Sequence, residues 1–524
     1  MRSLDRREFI AASTAAAFGL LASESFAAGA QGFDIEEATV AGLQTAMEKG
    51  VVTAQQLVTR YVTRIGARDK QTNSIIELNP DALKIAAQLD RERRAGKVRG
   101  PLHGIPIVLK DNIDTADKMK TTAGSLALMD APVPQRDAFL VTQLRTAGAV
   151  ILGKTNLSEW ANFRSTASTS GWSGRGGQTR NPYILDRNPC GSSSGTGAAI
   201  AANFAAIGIG TETDGSIVCP SSICGIVGIK PTVGLVSRSG VIPIAESQDT
   251  AGPMTRSVAD AAVLLDVIRG IDSRDSATKL QKSAQSFVAA LDPAGLKRAR
   301  VGVARDYWGK RADVDKLMDA ALDVMRRQGA TLVDVKFPGM SKFGDAEFEV
   351  LQFEFKDGLQ KYLAGRGSRY KTLDDLIKFN NENAAREMPH FKQEIFETSA
   401  KKGPLTSKEY LDARALCLKH TRDEIDAAMN EHKLDAIVAP SNAPTWMTDL
   451  VNGDCVSNYV SSSSLAAVSG YPSITVPAGF IRELPIGLTF FGRPWTEHIL
   501  IKFGYAFEQA TKARRKPKFL GSAG

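Results

Sequence analysis

Apolar residues along this chain fall into two periods, and the two periods take turns. Thr53 and Gln56 form a capping box at a helix start, and Leu57, Tyr61 and Ile65 then recur at four-residue spacing on one face. Pro80 opens a second helix in which Ala82, Ile85, Ala86 and Leu89 are apolar and Gly96 is the stop. After a Gly100-Pro101 turn, residues 105–109 read as a buried strand with Lys110, Asp111 and Asn112 at its end. Asp137 is placed to cap the next helix, Val141 and Leu144 face inward, and Gly148 ends it. Residues 149–152 form a short strand closed by Gly153. A helix of small residues over 196–205 leads into a strand at 206–209, and further strands are expected at 436–439, 473–476 and 487–491. The segment 312–432 is charged, helical in pattern and poor in turn signals, so it reads as a helical layer or insertion. Strands alternating with helices predict an α/β fold with a largely parallel sheet. Strand-forming pieces at both ends, with no internal repeat, predict one large domain over 28–524.

The N-terminus has a different pattern. Arg6-Arg7 is followed by Phe9 and Ile10, a weakly apolar stretch to Ala22, and small residues at Ser25, Ala27 and Ala28. A charged region, a short apolar region and a cleavage motif in that order predict a signal peptide over 1–27 of twin-arginine type, with a mature start near Ala28 or Ala30. The expected location is periplasmic or secreted. The stretch is too short and too rich in Ala and Ser for a membrane anchor, and no apolar run elsewhere is long enough to span a bilayer.

Composition narrows the classes. The 524 residues are 43% hydrophobic and 23% charged, the balance of a globular protein with a sizeable core. The net charge of +8 is modest for this length, and its one dense basic run is Lys512, Arg514, Arg515, Lys516 and Lys518, which reads as a solvated tail. A nucleic-acid partner is therefore not expected. Five cysteines, Cys190, Cys219, Cys224, Cys417 and Cys455, are too few for a disulfide scaffold. Cys219 and Cys224 have the wrong spacing for a zinc knuckle, and no metal site is expected. Buried free thiols are the favoured state, with one disulfide as the alternative.

The unusual segment is 187–240. It holds Gly191-Ser192-Ser193-Ser194-Gly195 and, after a strand, Gly210 to Ser216. Such glycine-rich turns cradle phosphates, make structural turns, or hold a serine nucleophile among backbone donors. The Gly-Lys-Ser/Thr ending of a P-loop and a Rossmann fingerprint are both absent. A serine nucleophile needs a base, and none of the five histidines sits in a recognisable hydrolase motif. A serine–lysine arrangement is the alternative, with Lys110 as the candidate if burial depresses its pKa. Spacing alone leaves Lys110 as a surface lysine and Ser216 as a turn serine equally open.

These segments together resemble the amidase signature family. Residues 100–111 (GPLHGIPIVLKD) resemble its lysine motif, 190–195 (CGSSSG) its serine–glycine loop and 210–216 (GTETDGS) its nucleophile motif. Residues 225–231, 249–254 and 470–479 resemble three further blocks, and the likeness runs from about 35 to 510. The resemblance implies a large central mixed β-sheet covered by helices on both faces. It also implies a Ser–cis-Ser–Lys triad, with Ser216 as nucleophile, Ser192 as bridge after a cis Gly191-Ser192 peptide bond, and Lys110 as base. The backbone N–H groups of Thr213, Asp214, Gly215 and Ser216 would form the oxyanion hole, with Ser193 and Gly191 in support. No metal, organic cofactor or obligatory partner subunit is implied. His103, within the lysine motif, reads as packing.

Two departures from the family pattern stand out: Asp214 brings a carboxylate beside the nucleophile where glycine is usual, and Ser194 also replaces a glycine. Residues 188–190, 210–220, 233–238 and 485–487 resemble the members that remove the C-terminal amide of peptides. The expected activity is hydrolysis of a carboxamide to carboxylate and ammonia through an acyl-enzyme. The alternatives are a broader amidase for small aryl, aliphatic or cyclic amides, the amidase-type component of a glutamyl-tRNA amidotransferase, and a non-catalytic binding protein.

Overall fold

A computed structural model describes residues 33–281 and 285–523. The expected signal over 1–27 and its cleavage point lie outside the described residues. The strands are β1 (Ile75–Leu78), β2 (Pro106–Lys110), β3 (Val150–Thr155), β4 (Trp172–Ser173), β5 (Gly177–Gln178), β6 (Ile207–Glu212), β7 (Val227–Lys230), β8 (Thr250–Thr255), β9 (Arg300–Ala304), β10 (Thr331–Val335), β11 (Ala436–Pro440), β12 (Ser473–Ile481) and β13 (Leu484–Phe491). Eleven of them make one sheet in the order β1-β3-β2-β6-β8-β7-β12-β13-β11-β9-β10, and β4 and β5 pair separately.

The sheet is mixed, which corrects the largely parallel arrangement read from the alternation of elements. Parallel pairing joins β3 to β2, β2 to β6, β11 to β9 and β9 to β10. The centre, from β6 through β8, β7, β12 and β13 to β11, is antiparallel. Connection length explains the difference. A helix, Phe139–Thr146, crosses between β2 and β3, and another, Ala312–Arg327, between β9 and β10. The β12–β13 turn is only Arg482 and Glu483, with Arg482 in the left-handed region at φ 54°, and a link that short permits only antiparallel return.

Every residue of β2, β3, β6, β7, β8, β11 and β13 is buried. Helices cover the sheet to make this so: Ser194–Ala201 packs on β2, β3, β6 and β8, Val258–Ile268 on β7 and β8, and Glu497–Thr511 on β12 and β13. At Gly504 of the last helix an added Cβ would stand 3.2 Å from Ile474 Cδ1 of β12, so helix and strand are in direct contact there.

Three local expectations are revised. Asp137 does not cap the helix at 139, whose N-cap is Ala138 with no side-chain bond; its carboxylate instead accepts from Ala116 N–H at 2.7 Å and from Arg145 Nε at 2.9 Å. The 312–432 stretch is not helical throughout, because β10 lies within it and extends the sheet beside β9. The helical layer proper runs from Gly344–Gly365 through Leu373–Glu382, Ala384–Glu387, Glu394–Ala400 and Lys408–His420 to Arg422–Glu431. The basic C-terminal run is docked: Arg514 pairs with Glu37 at 2.7 Å, Lys516 with Glu36 at 3.0 Å, and Tyr183 OH donates to Arg515 O.

The cysteines are revised as well. Cys190 and Cys219 form a disulfide, while Cys224 and Cys417 are buried free thiols and Cys455 is an exposed one. Among the described residues no helix is long and apolar enough to cross a membrane, and no cluster of three or more His, Cys, Asp or Glu is arranged to hold a metal ion.

Candidate active site

The parallel register of β2 and β6 creates the site. Ile107 pairs with Ile207, Val108 with Gly208 and Leu109 with Ile209, so both strands finish at the same edge. The carboxyl ends of neighbouring parallel strands are where α/β sheets hold ligands. Here β2 delivers Lys110, β6 delivers Thr211 to Ser216, and the loop before helix Ser194–Ala201 delivers Gly191, Ser192 and Ser193.

Lys110 is fully buried. Its Nζ donates to Ser192 Oγ at 2.7 Å, to Thr211 Oγ1 at 2.9 Å and to Thr211 O at 3.1 Å. Burial pushes the ammonium down from 10.5 to about 7, against the opposing pull of the Glu212 and Asp249 carboxylates. A lysine in that state exchanges its proton near neutral pH and can act as a base. Asn112 Nδ2 also donates to Thr211 Oγ1, at 2.9 Å, and fixes that hydroxyl.

The serine loop is clamped onto the end of β6. Ser193 N–H donates to Ser216 O at 3.1 Å, Ser193 Oγ donates to Thr211 O at 3.0 Å, and Thr211 N–H donates back to Ser193 Oγ at 3.2 Å. Ser158 N–H donates to Ser192 O at 3.1 Å. The Gly191-Ser192 peptide bond is cis. An added Cβ on Gly191 would stand 2.2 Å from Ser158 Oγ, so a side chain there would have to displace that hydroxyl. Lys110 and Ser192 are thus joined directly. Ser216, 8% exposed, is joined to the same loop through its carbonyl; among the described residues no hydrogen bond runs from Ser192 Oγ to Ser216 Oγ.

Around Ser216 the backbone is shaped by buried acids. Glu212 Oε2 accepts from Ile217 N–H at 2.7 Å and Val218 N–H at 2.9 Å, which organises the start of helix Val218–Ile223. Gly215 takes φ 75°, a turn that an L side chain resists. Thr213 Oγ1 donates to Asp249 Oδ1 at 2.6 Å, and Asp249 Oδ2 accepts from Ile244 and Ala245 N–H groups. Gln248 Nε2 bridges Thr213 O at 3.3 Å and Glu347 Oε1 at 2.9 Å. The backbone N–H groups of Thr213, Asp214, Gly215 and Ser216 donate to no protein acceptor among the described residues.

The Asp214 carboxylate is not loose beside Ser216. Ser464 Oγ donates to its Oδ2 at 2.6 Å, and burial raises its pKa. Glu347 lies beside it and is raised well above the usual carboxylate range by burial and then by the Asp214 charge. His103 is buried in packing, as expected, with Nε2 2.9 Å from Leu89 O.

Sequence reading named Lys110, Ser192, Ser193 and the 213–216 turn, and the fold gathers them at one sheet edge. It missed Thr211 and Glu212, although both lie in the nucleophile motif, and Asp249, which lies in a matched block. Gln248 borders that block. Glu347 comes from a helix more than a hundred residues downstream and carries no local signal.

Comparison with known proteins agrees with this geometry. A family model described as Amidase matches residues 56–501. A probable amidase of Arabidopsis thaliana is 40% identical over 504 residues, covering 93% of each chain. A putative amidase of Schizosaccharomyces pombe is 37% identical over 521 residues, covering 93% of this chain and 88% of that one. Among solved structures, the peptide amidase PAM in complex with the competitive inhibitor chymostatin is 49% identical with a TM-score of 0.90, over 93% of this chain and 100% of that one. Native peptide amidase from Stenotrophomonas maltophilia is 48% identical with a TM-score of 0.88 at the same coverage.

Proposed function

The chain belongs to the amidase signature family, and from that premise we propose that it is a serine-dependent amidase whose substrate is the C-terminal carboxamide of peptides. The observation that carries this reading is the 2.7 Å hydrogen bond from buried Lys110 Nζ to Ser192 Oγ, made by a lysine whose pKa is brought to about 7. A lysine neutral at physiological pH can accept a proton through a bridging hydroxyl. An ammonium at its ordinary value cannot.

In the proposed mechanism, neutral Lys110 takes the Ser192 proton as Ser192 takes that of Ser216. Ser216 Oγ attacks the carboxamide carbon, and the carbonyl oxygen becomes an oxyanion at the N–H groups of residues 213–216. Donors of this kind contribute about 3–4 kcal/mol each where they have been removed by mutation. The proton returns through Ser192 to the nitrogen, and ammonia leaves. Water then cleaves the ester by the same relay in reverse, which releases the carboxylate. The peptide specificity is supported by the likeness to peptide amidase along the full length of that chain. We also infer export, from the N-terminal pattern alone, and activity without a second protein chain.

The test is ammonia release from an amidated dipeptide by the purified single chain, beside Ser216→Ala and Ser192→Ala. Release by the native protein, abolished at Ser216 and reduced at Ser192, is the expected result. Release only from small aryl, aliphatic or cyclic amides would move the assignment to a broader amidase. No turnover of any amide by the lone chain would refute the reading.

A further inference from the structure

The Cys190–Cys219 disulfide ties together the two loops of the site. Cys190 immediately precedes the Gly191-Ser192 bond, and Cys219 lies one turn beyond Ser216 in the segment that opens helix Val218–Ile223. The Cα atoms are 6.1 Å apart. Cys219 N–H also donates to Gly215 O at 2.8 Å, so any shift of Cys219 is felt at the 215–216 turn.

Cys190 is itself in an unusual state. Its φ is +59°, in the left-handed region that disfavours a residue with a Cβ. Such a conformation persists only where its surroundings over-determine it. Here the ties are the Cys190 N–H bond to Asn188 Oδ1 at 2.8 Å on one side and the bridge on the other. With the bridge cut, residue 190 is free to leave that region, and the peptide it would carry with it is the one that aims Ser192 at Lys110. The direct backbone ties between the loops run through Ser193, on the far side of Ser192, and Ser192 itself is held to the end of β6 through Lys110, which bonds both Ser192 Oγ and Thr211.

The bridge is screened but not sealed. Cys190 and Cys219 are 6% and 4% exposed and pack with Ile223 and Trp446. Tyr459 OH lies 3.5 Å from Cys219 Sγ, and the Trp446 and Tyr459 rings meet edge to face at 5.8 Å. Both aromatics belong to the 441–464 segment, which also supplies Ser464 to Asp214.

We propose that the Cys190–Cys219 bridge is a positioning device for the amidase reaction, holding Ser192 and Ser216 in register, so that its reduction lowers turnover while the fold persists. This rests on the function proposed above. Reduction by a dithiol breaks the S–S bond; the two sulfurs together take up two electrons and two protons, and the dithiol is oxidised to its cyclic disulfide.

The experiment uses the full chain with Cys455→Ser, which removes the exposed thiol. Turnover of an amidated dipeptide is measured in the oxidised, dithiothreitol-reduced and reoxidised protein, with the bridge scored by alkylation and mass. Labelling of Ser216 by a fluorophosphonate is followed in parallel, together with far-UV circular dichroism. Reduction is expected to lower kcat about tenfold or more while KM changes little, as a small displacement of reacting groups does. Labelling slows with it, helicity is kept, and reoxidation restores the rate. A Cys190→Ser, Cys219→Ser double variant should match the reduced protein and ignore dithiol, and it decides the question if the native bridge resists reduction. Unchanged kcat in the fully reduced protein overturns the proposal. Loss of helicity in step with activity also overturns it, in favour of a purely structural staple. An oxidised protein that neither turns over amides nor labels at Ser216 refutes the functional reading, and the proposal falls with it.

Discussion

Replacing Lys110 by Met should flatten the pH dependence of stability between pH 7 and pH 10 by an amount that the burial of this lysine sets. The folded value is about 7 against an ordinary 10.5. Between those values the unfolded chain binds a proton that the folded chain does not, so native stability rises with pH across that window and is lowest at and below pH 7. Linkage gives a cost of about 4 kcal/mol at pH 7 that shrinks to about 1 kcal/mol at pH 10. Methionine carries no such cost. It does forfeit the bonds from Nζ to Ser192 Oγ, Thr211 Oγ1 and Thr211 O, a loss of about 1 kcal/mol each that does not vary with pH. The variant should therefore be about 1 kcal/mol more stable than the native protein at pH 7 and about 2 kcal/mol less stable at pH 10. Buried Lys154 and Lys230 are also held below their ordinary values by burial, but they are common to both proteins and cancel in the difference. Urea unfolding followed by tryptophan fluorescence at four pH values measures it. A difference that stays constant from pH 7 to 10 would mean that Lys110 keeps an ordinary ammonium in the fold, and the argument that it is a base at neutral pH would fail.

The same pKa sets the rate profile: kcat/KM on an amidated dipeptide should rise about tenfold between pH 6 and pH 8 as Lys110 loses its proton, and a flat profile would contradict the proposed relay. Gly195→Ala should cost about 3 kcal/mol of stability, because its Cβ would lie 2.4 Å from the carbonyl oxygens of both Asn156 and Ser74; a thermal midpoint within a degree of the native one would show that the loop has room. Arg164→Met should destabilise by about 3–5 kcal/mol at neutral pH. Arg164 and Glu159 pair at 2.9 Å with both side chains fully buried, and Glu159 is raised by burial and by neighbouring Glu387. Urea denaturation at neutral pH checks it, and a variant as stable as the native protein would show that the pair contributes nothing.

The parts of the fold that could be read from sequence are those whose residues carry their own signal. The Thr53–Gln56 capping box is present in the structure, with Thr53 Oγ1 accepting from Gln56 N–H at 3.1 Å. The strand ahead of Lys110 is apolar because it is buried on both faces. Strands β1, β7, β8, β9 and β10 were not read from sequence, and for β8 and β10 the reason is physical. β8 (TAGPMT) is fully buried but has neither alternation nor a run of branched residues. β10 lies at the sheet edge with only Val335 buried, so its pattern merges with the amphipathic helix before it. The cysteine pairing was likewise illegible. Cys190 and Cys219 are 29 residues apart with Cys224 close by, and only the packing of the 191–193 loop against the 213–216 turn selects the partner. The triad candidates stood out because their chemistry is local to three motifs. Gln248 and Glu347, which set the environment of those motifs, act through contacts made only in the folded chain.

One departure from the family pattern, Asp214, looked from sequence like a charge opposed to the chemistry. The structure gives it a different weight. An oxyanion at the 213–216 turn and a neutral Lys110 are both disfavoured by added negative charge nearby, the first by repulsion and the second because a carboxylate holds a proton on lysine. The carboxylates that pull Lys110 upward are Glu212 and Asp249. Each is itself raised by burial, Asp249 to about 6, and Glu212 is further engaged by two backbone N–H groups. Asp214 shares its buried position with Glu347, whose carboxyl is raised well above its ordinary range by burial and then by the Asp214 charge. Lys230 offers Asp214 an opposing attraction. The low dielectric that lowers Lys110 is thus the same one that raises the acids around it. Burial acts on the lysine and on the acids in opposite directions, and a change that let water reach Glu212 or Asp249 would strengthen their pull on Lys110, raise it and slow the proposed relay without touching either serine.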